Sequence, residues 1–232
     1  REIGLNWAKA DSRFDLSKEV NEPNKVGYVV EIDPLNPNST PKKHTALGRF
    51  KHENAELVIS KDGKIVVYMG DDERGEYLYK YVSNKSINEV KDKSTLLSNG
   101  NLYVAKFNDN FTGEWLLLDT QTTGLSSKAE VCIFTRLAAS KVGATTMDRP
   151  EWIASNPKKN EVCCCLTNNK NRGIKTNKGG DKVDVDKVNP RKNNKYGQIV
   201  RWKPRDNNHS SIYFEWDLFC LLYTSDAADD ST

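Results

Sequence analysis

Three short catalytic patterns are missing from these 232 residues. There is no GxSxG elbow, no GxxxxGK[ST] phosphate loop and no HExxH pair. That removes the sequence-local signatures of serine hydrolases, P-loop proteins and zinc proteases. Histidine is scarce: His44, His52 and His209 are too scattered to form a local His site. No apolar run is long enough to span a bilayer, so no membrane span is expected. No signal peptide is visible, and the chain opens on Arg1 rather than Met, which reads as a processed or truncated start. A strong charge of either sign is also lacking. The net charge is +3, with Lys and Arg interleaved among acids, which argues against a nucleic-acid partner.

The five cysteines include no CxxC pair. Cys163, Cys164 and Cys165 are consecutive, and side chains in a strand alternate faces, so the three cannot converge on a metal. They read as buried or half-buried free thiols, with no disulfide to Cys132. Cys220 belongs to a different problem. The run CLLYTSDAAD, Cys220 to Asp229, follows a strand-like segment with no turn. It back-translates without a break to the junction of a widely used sequencing-library adapter. Residues 220–232 are therefore read as a non-native tail with no packed role, and residues 1–219 as the natural segment.

What is present is a series of short β-like runs with turn signals between them. VGYVVEIDP (Val26–Pro34) is β-branched and stops at Asp33-Pro34. AELVISKDGKIVVYMGDD (Ala55–Asp72) is a hairpin around an Asp-Gly turn. Further strands are read at Tyr77–Val82, in GNLYVAKFN, in GEWLLLD, and in YGQIVRWKP and SIYFEWDLF. EWIASNPKKNEVCCCLTNN is a second hairpin, turning at Asn156-Pro157. One segment, about Ser126 to Val142, favours a helix. The two hairpins share a design: a Glu near a basic residue, two strands about a tight turn, a polar end, then a further strand. Repeated meanders favour an all-β partial propeller with one short helical insertion over a sandwich. The stretch Thr167–Tyr196 is rich in Asn, Lys and Gly; a loop of that length reads as a lid or a mobile segment.

With so few histidines, a hydrolase here relies on carboxylates. Candidates are Glu31, Glu53, Asp71, Asp72, Glu73, Glu76 and Glu151. Carboxylate-rich sites suit hard cations such as calcium, magnesium, manganese or ferric iron. Arg149-Pro150-Glu151 puts a guanidinium and a carboxylate on one face of an extended segment, because residues i and i+2 share a face. That is the chemistry of a phosphate held by a fork of donors beside a metal. The plainer alternative is a surface ion pair of Arg149 with Glu151 or Asp148. For Asp71 and Asp72 it is a solvated acidic turn, and for Asn168 and Asn169 an ordinary turn.

Eight runs in order add to this: GYVVEIDP, TALGRFKHE, VVYMGDDER with EYLYKYVS, LYVAKF, GEWLLL, MDRPEWIA, CLTNN and NPRKNNKYGQIVRW. Together they resemble the PhoX family of bacterial alkaline phosphatases, from about Phe14 to Phe219. The resemblance implies a β-propeller exported in folded form to the periplasm or beyond. It implies hydrolysis of small-molecule phosphomonoesters by a monomer at a ferric iron and calcium cluster. Carried over residue by residue, Glu53 and Glu151 are metal ligands, with Asp71 and Asp72 as further ones. Arg149 is the catalytic, phosphate-binding residue, and His52, Asn168 and Asn169 support the site. Further ligands, including a cysteine upstream of GYVVEIDP, fall outside the segment, so residues 1–219 are expected to be an inactive fragment of one phosphatase domain. The alternatives are another calcium-dependent propeller hydrolase, a lactonase or phosphotriesterase, or a non-catalytic propeller binding module.

Overall fold

The computed structural model describes residues 6–178, 180–181 and 183–223. It opens with a single-turn helix, α1 (Trp7–Ala10), and a two-stranded ribbon, β1 (Val29–Glu31) with β2 (Lys42–His44). A first antiparallel meander follows: β3 (His52–Ile59), β4 (Lys64–Asp71), β5 (Leu78–Ser86), β6 (Gly100–Phe107) and β7 (Thr112–Leu117). Three short helices come next, α2 (Thr120–Thr123), α3 (Lys128–Ile133) and α4 (Thr135–Lys141). The second meander is β8 (Pro150–Ser155), β9 (Val162–Leu166), β10 (Gln198–Pro204) and β11 (Tyr213–Leu221). No helix among the described residues is long and apolar enough to cross a membrane.

β7 pairs with β11, which joins the meanders into one nine-stranded antiparallel sheet. At its far ends the sheet folds back on itself, so that β3 and β8 lie side by side. Side chains link them: Asn54 accepts from the Ile153 N–H at 3.1 Å and donates to the Ile153 carbonyl at 2.7 Å. Glu56 accepts from the Ser155 N–H at 2.9 Å. The sheet is nearly closed and propeller-like, with the leading strands of two consecutive meanders adjacent.

Two apolar cores explain this arrangement. One lies between the meanders and includes Val66, Tyr68, Trp115, Ile153, Trp202 and Phe214. The other lies on the opposite face of the first meander. There Ile65, Val67, Met69 and Tyr79 meet Val131, Ala138 and Ala139 of the helices. β4 therefore buries both faces, and its KIVVYMGD sequence shows no polar alternation. Lys80 is wholly buried. It donates to the Ser211 carbonyl at 2.7 Å and lies 4.9 Å from the Trp115 ring centre. Burial holds its pKa well below the usual lysine value.

The differences from the sequence reading have local causes. Val26–Pro34 supplies only the three residues of β1. The helical segment is broken at Phe134, where the Thr135 hydroxyl donates to the Val131 and Cys132 carbonyls at 3.1 and 2.9 Å and closes α3. All five cysteines are free: Cys132 and Cys164 are buried, while Cys163 and Cys165 face the other way and are half-buried. Cys220 and Leu221, expected to have no packed role, take ladder positions opposite Ile199 and Gln198. Leu222 donates its N–H to the Gly197 carbonyl at 3.2 Å and Arg191 lies over the Tyr223 ring at 4.6 Å, while residues 224–232 lie outside the described residues. Among its described residues the loop after β9 contains no strand, yet it is pinned by the buried side chains of Asn169, Arg172, Asn189 and Asn194.

Candidate active site

Three chain segments converge where β4 ends, β8 begins and β9 ends. The N–H of Asp72 donates to the Lys51 carbonyl at 3.0 Å, and Arg74 forms an isolated antiparallel bridge with Asp148. This bridge sets the acidic corner after β4 against the residue just before Arg149. Contact is made close by Gly70. A Cβ built there would lie 2.4 Å from the Pro150 carbonyl oxygen and 3.0 Å from that of Glu151. Gly70→Ala is therefore expected to push the start of β8 away and to lower stability by about 1–3 kcal/mol. A thermal melt checks this, and an unchanged midpoint would contradict it.

Arg149 is held at that junction in a left-handed backbone conformation, φ 54°. Its Nε donates to Asp72 Oδ1 at 2.8 Å and its Nη2 to Asp72 Oδ2 at 3.2 Å. Nη2 also lies 3.0 Å from Glu151 Oε1, which accepts from the Thr167 hydroxyl at 3.0 Å. Asn168 accepts from Arg74 Nη2 at 3.1 Å. The side chains of Arg149, Asp72 and Glu151 keep 19%, 24% and 21% of their surface open. They form a mostly enclosed corner that still meets solvent.

Strand alternation sends the two adjacent aspartates apart. Asp71, expected beside Asp72 as a cation ligand, is fully buried on the helix side. Both of its oxygens accept from Arg136, at 2.7 Å from Nε and 2.6 Å from Nη2. Burial raises its pKa against the pull of Arg136. Glu53 is exposed on β3. The Asn54–Ile153 and Glu56–Ser155 links set β3 beside β8, with both strands irregular just before them, between His52 and Ala55 and between Pro150 and Ile153. His52, expected to support the site, is stacked on Phe50 with ring centres 3.7 Å apart, and its Nε2 bonds the Gly48 carbonyl at 3.0 Å. Burial pushes its pKa down to about 4, so it packs as a neutral ring.

The carboxylate, hydroxyl and amide oxygens at this corner suit a hard cation. Yet among the described residues no three or more His, Cys, Asp or Glu side chains stand where they could hold a metal ion. The corner presents a positioned guanidinium with two carboxylates and does not by itself complete a metal cage.

A family model described as alkaline phosphatase PhoX matches residues 2–231. The chain belongs to the PhoX alkaline phosphatase family. Among solved structures it is similar to Pseudomonas fluorescens PhoX in complex with vanadate, a transition state analogue. The identity is 49%, with a TM-score of 0.84 over 93% of this chain. The chain spans 39% of that protein's length. No curated protein matches it.

Several residues that shape this PhoX corner were not legible as such. Asp148 is fully buried and accepts from Arg172 Nε at 2.8 Å, Asn169 Nδ2 at 2.9 Å and Asn194 Nδ2 at 2.8 Å. Asn169, named from the sequence, thus bonds the residue just before Arg149. On the other side, Glu76 is 5% exposed, and its Oε2 has no hydrogen-bond partner, with Arg136 Nε 3.6 Å away. Burial, the largest cause, raises Glu76 to about 8; Arg136 opposes, while Asp71, Asp181 and Glu73 add to the rise.

A pH dependence follows. Between the ordinary 4.5 and about 8 the folded chain holds a proton on Glu76 that the unfolded chain has released. Stability from this group is complete below the lower value and is lost as pH rises toward the upper one. Glu76→Gln, neutral throughout, is expected to flatten that decline. Urea midpoints at pH 5 and pH 8.5 measure it, and parallel declines in both proteins would refute it.

Proposed function

We propose that this chain carries the phosphate-binding part of a metal-dependent alkaline phosphatase that hydrolyses phosphomonoesters in the periplasm or after secretion. The observation that carries this reading is Arg149. A guanidinium gripped by two carboxylates is aimed before substrate arrives, so little conformational freedom is left to lose on binding. A non-glycine residue at positive φ costs about 1–3 kcal/mol, and such strain concentrates where function requires a side chain to point one way. The structure of the relative of 49% identity is a complex with vanadate, a transition state analogue, which supports a phosphoryl-transfer role for this chain.

In this reading Arg149 stands beside the phosphoryl group and its positive charge offsets negative charge that builds up in the transition state. Asp72 and Glu151 fix the plane of the guanidinium. Glu151 and Asp72 would also lend oxygen donors to the cations that the family resemblance implies, calcium and ferric iron, with Glu53, exposed on β3, as a further proposed ligand. When bound, those ions polarise the phosphoryl group. Asp71 is left to anchor Arg136. Asn168 and Asn169 hold the β9 end in place. The partners are small phosphomonoesters, and the protein acts as a monomer.

The test is hydrolysis of 4-nitrophenyl phosphate by the enzyme carrying this chain, with calcium and iron supplied, against a lactone and a phosphotriester. Preference for the monoester, lost in Glu151→Ala, is expected. Preference for either other substrate, or monoester activity indifferent to Glu151→Ala, would overturn the reading.

A further inference from the structure

A second concave site lies on the helix side of the first meander, and none of its lining residues belongs to the Arg149 corner. It is a cleft of about 590 Å³ between the turn at residues 22–28, the end of β2 and helix α3. That size falls within the range of small-molecule sites. Its walls are largely apolar: the Tyr28 ring, Ala46, Ala129, Ile133 and the thiol of Cys132.

Its charge is one-sided. Lys25, Lys43 and Lys128 line it, and no aspartate or glutamate does. Lys25 is paired outward with Glu22 at 2.6 Å. Lys43 instead donates to the Lys25 carbonyl and sits 5.7 Å from the Tyr28 ring centre. Lys128 makes a long 3.4 Å bond to the Gly100 carbonyl. Neither of these two has a salt-bridge partner among the described residues. Burial raises the Cys132 thiol and the Tyr28 phenol, so both walls stay neutral and add no negative charge. The backbone around the cleft is fixed by Arg49, which donates to the Pro23 carbonyl at 2.9 Å and the Ile133 carbonyl at 3.3 Å. The cleft is thus held open between the N-terminal turn and α3.

We propose that this cleft binds a small amphipathic anion: an aromatic ring or short alkyl chain bearing one carboxylate or sulfonate head. The apolar body lies against Tyr28, Ala129 and Ile133, and the head is met by Lys43 and Lys128. A neutral apolar molecule leaves the ammonium groups unanswered, and a bare inorganic anion leaves the apolar walls wet.

Naphthalene-2-sulfonate tests this by NMR titration of the 232-residue chain, with 2-naphthylmethanol and inorganic phosphate as controls. Saturable one-to-one binding is expected, with shifts centred on Tyr28, Ala129 and Ile133. The Lys43→Glu, Lys128→Glu double variant changes exposed residues only and should keep its thermal midpoint. It should bind the sulfonate at least about tenfold more weakly, the scale of one charge-assisted hydrogen bond. The proposal is overturned by absence of saturable binding, equal affinity for the neutral alcohol, or shifts centred on Arg149. Undiminished binding by the double variant, or a concentration-dependent dimer that occludes the cleft, would overturn it as well.

Discussion

Replacing Arg172 by methionine is expected to cost about 3–5 kcal/mol of stability, the loss that follows from removing one partner of a buried ion pair. Arg172 and Asp148 are both fully buried. Arg172 also donates to the Thr146 hydroxyl at 3.1 Å, the Thr146 carbonyl at 2.9 Å and the Asp184 carbonyl at 2.9 Å. Without it, the Asp148 carboxylate keeps two amide donors but no cation, in a place water cannot reach. Methionine fills much of the volume, so the loss is electrostatic rather than a cavity effect. Pairing the change with Asp148→Asn removes the stranded charge and should recover a large part of it. Urea unfolding of the two single variants and the double variant gives the cycle. A single-variant loss below about 1 kcal/mol would mean the pair is not the clamp described.

That clamp was hidden from the sequence for a physical reason. Thr167–Tyr196 has the composition of a solvated loop, and nothing local distinguishes Arg172 from the exposed lysines around it. Its partner lies 24 residues earlier, and Asn194 reaches Asp148 across 46. Arg136 and Asp71 meet across 65. Pairings over such separations are set by the sheet, not by neighbours in sequence. What was legible rests on local chemistry: the Asp-Gly turn between β3 and β4, the strand periods, and the alternation that sends Cys163 and Cys165 one way and Cys164 the other. The same alternation, applied to Asp71 and Asp72, would have separated a buried anchor from a site residue.

The corner itself shows how a local pattern can be right in kind and incomplete in geometry. Arg149 and Glu151 do form an ion pair, but Arg149 sits in a left-handed conformation just before β8 rather than in the extended run that the i and i+2 reading assumes. The bidentate partner is Asp72, however, 77 residues away and brought in by the close β4–β8 approach at Gly70. A surface ion pair of two sequence neighbours would need neither that approach nor the positive φ of Arg149. The fold thus invests backbone strain and a glycine contact in placing one guanidinium.

Arg149→Lys is accordingly expected to reduce kcat/KM for a phosphomonoester by on the order of 100-fold or more in the enzyme carrying this chain, the scale of losing one positioned transition-state donor. Lysine keeps the charge but not the planar fork, so it cannot hold Asp72 through two parallel bonds and is no longer aimed by that grip. Most of the loss should appear in kcat, because the charge that attracts the dianion remains while alignment with the developing negative charge is lost. Asp72→Asn serves as the companion. It keeps Arg149 and one acceptor oxygen but weakens the grip that aims the guanidinium, so a smaller loss of about tenfold is expected. Vanadate affinity should follow the same order, with Arg149→Lys the weaker binder. An Arg149→Lys enzyme within about threefold of the parent in kcat/KM would show that charge alone suffices and that the strained, doubly gripped arginine is not what the reaction uses.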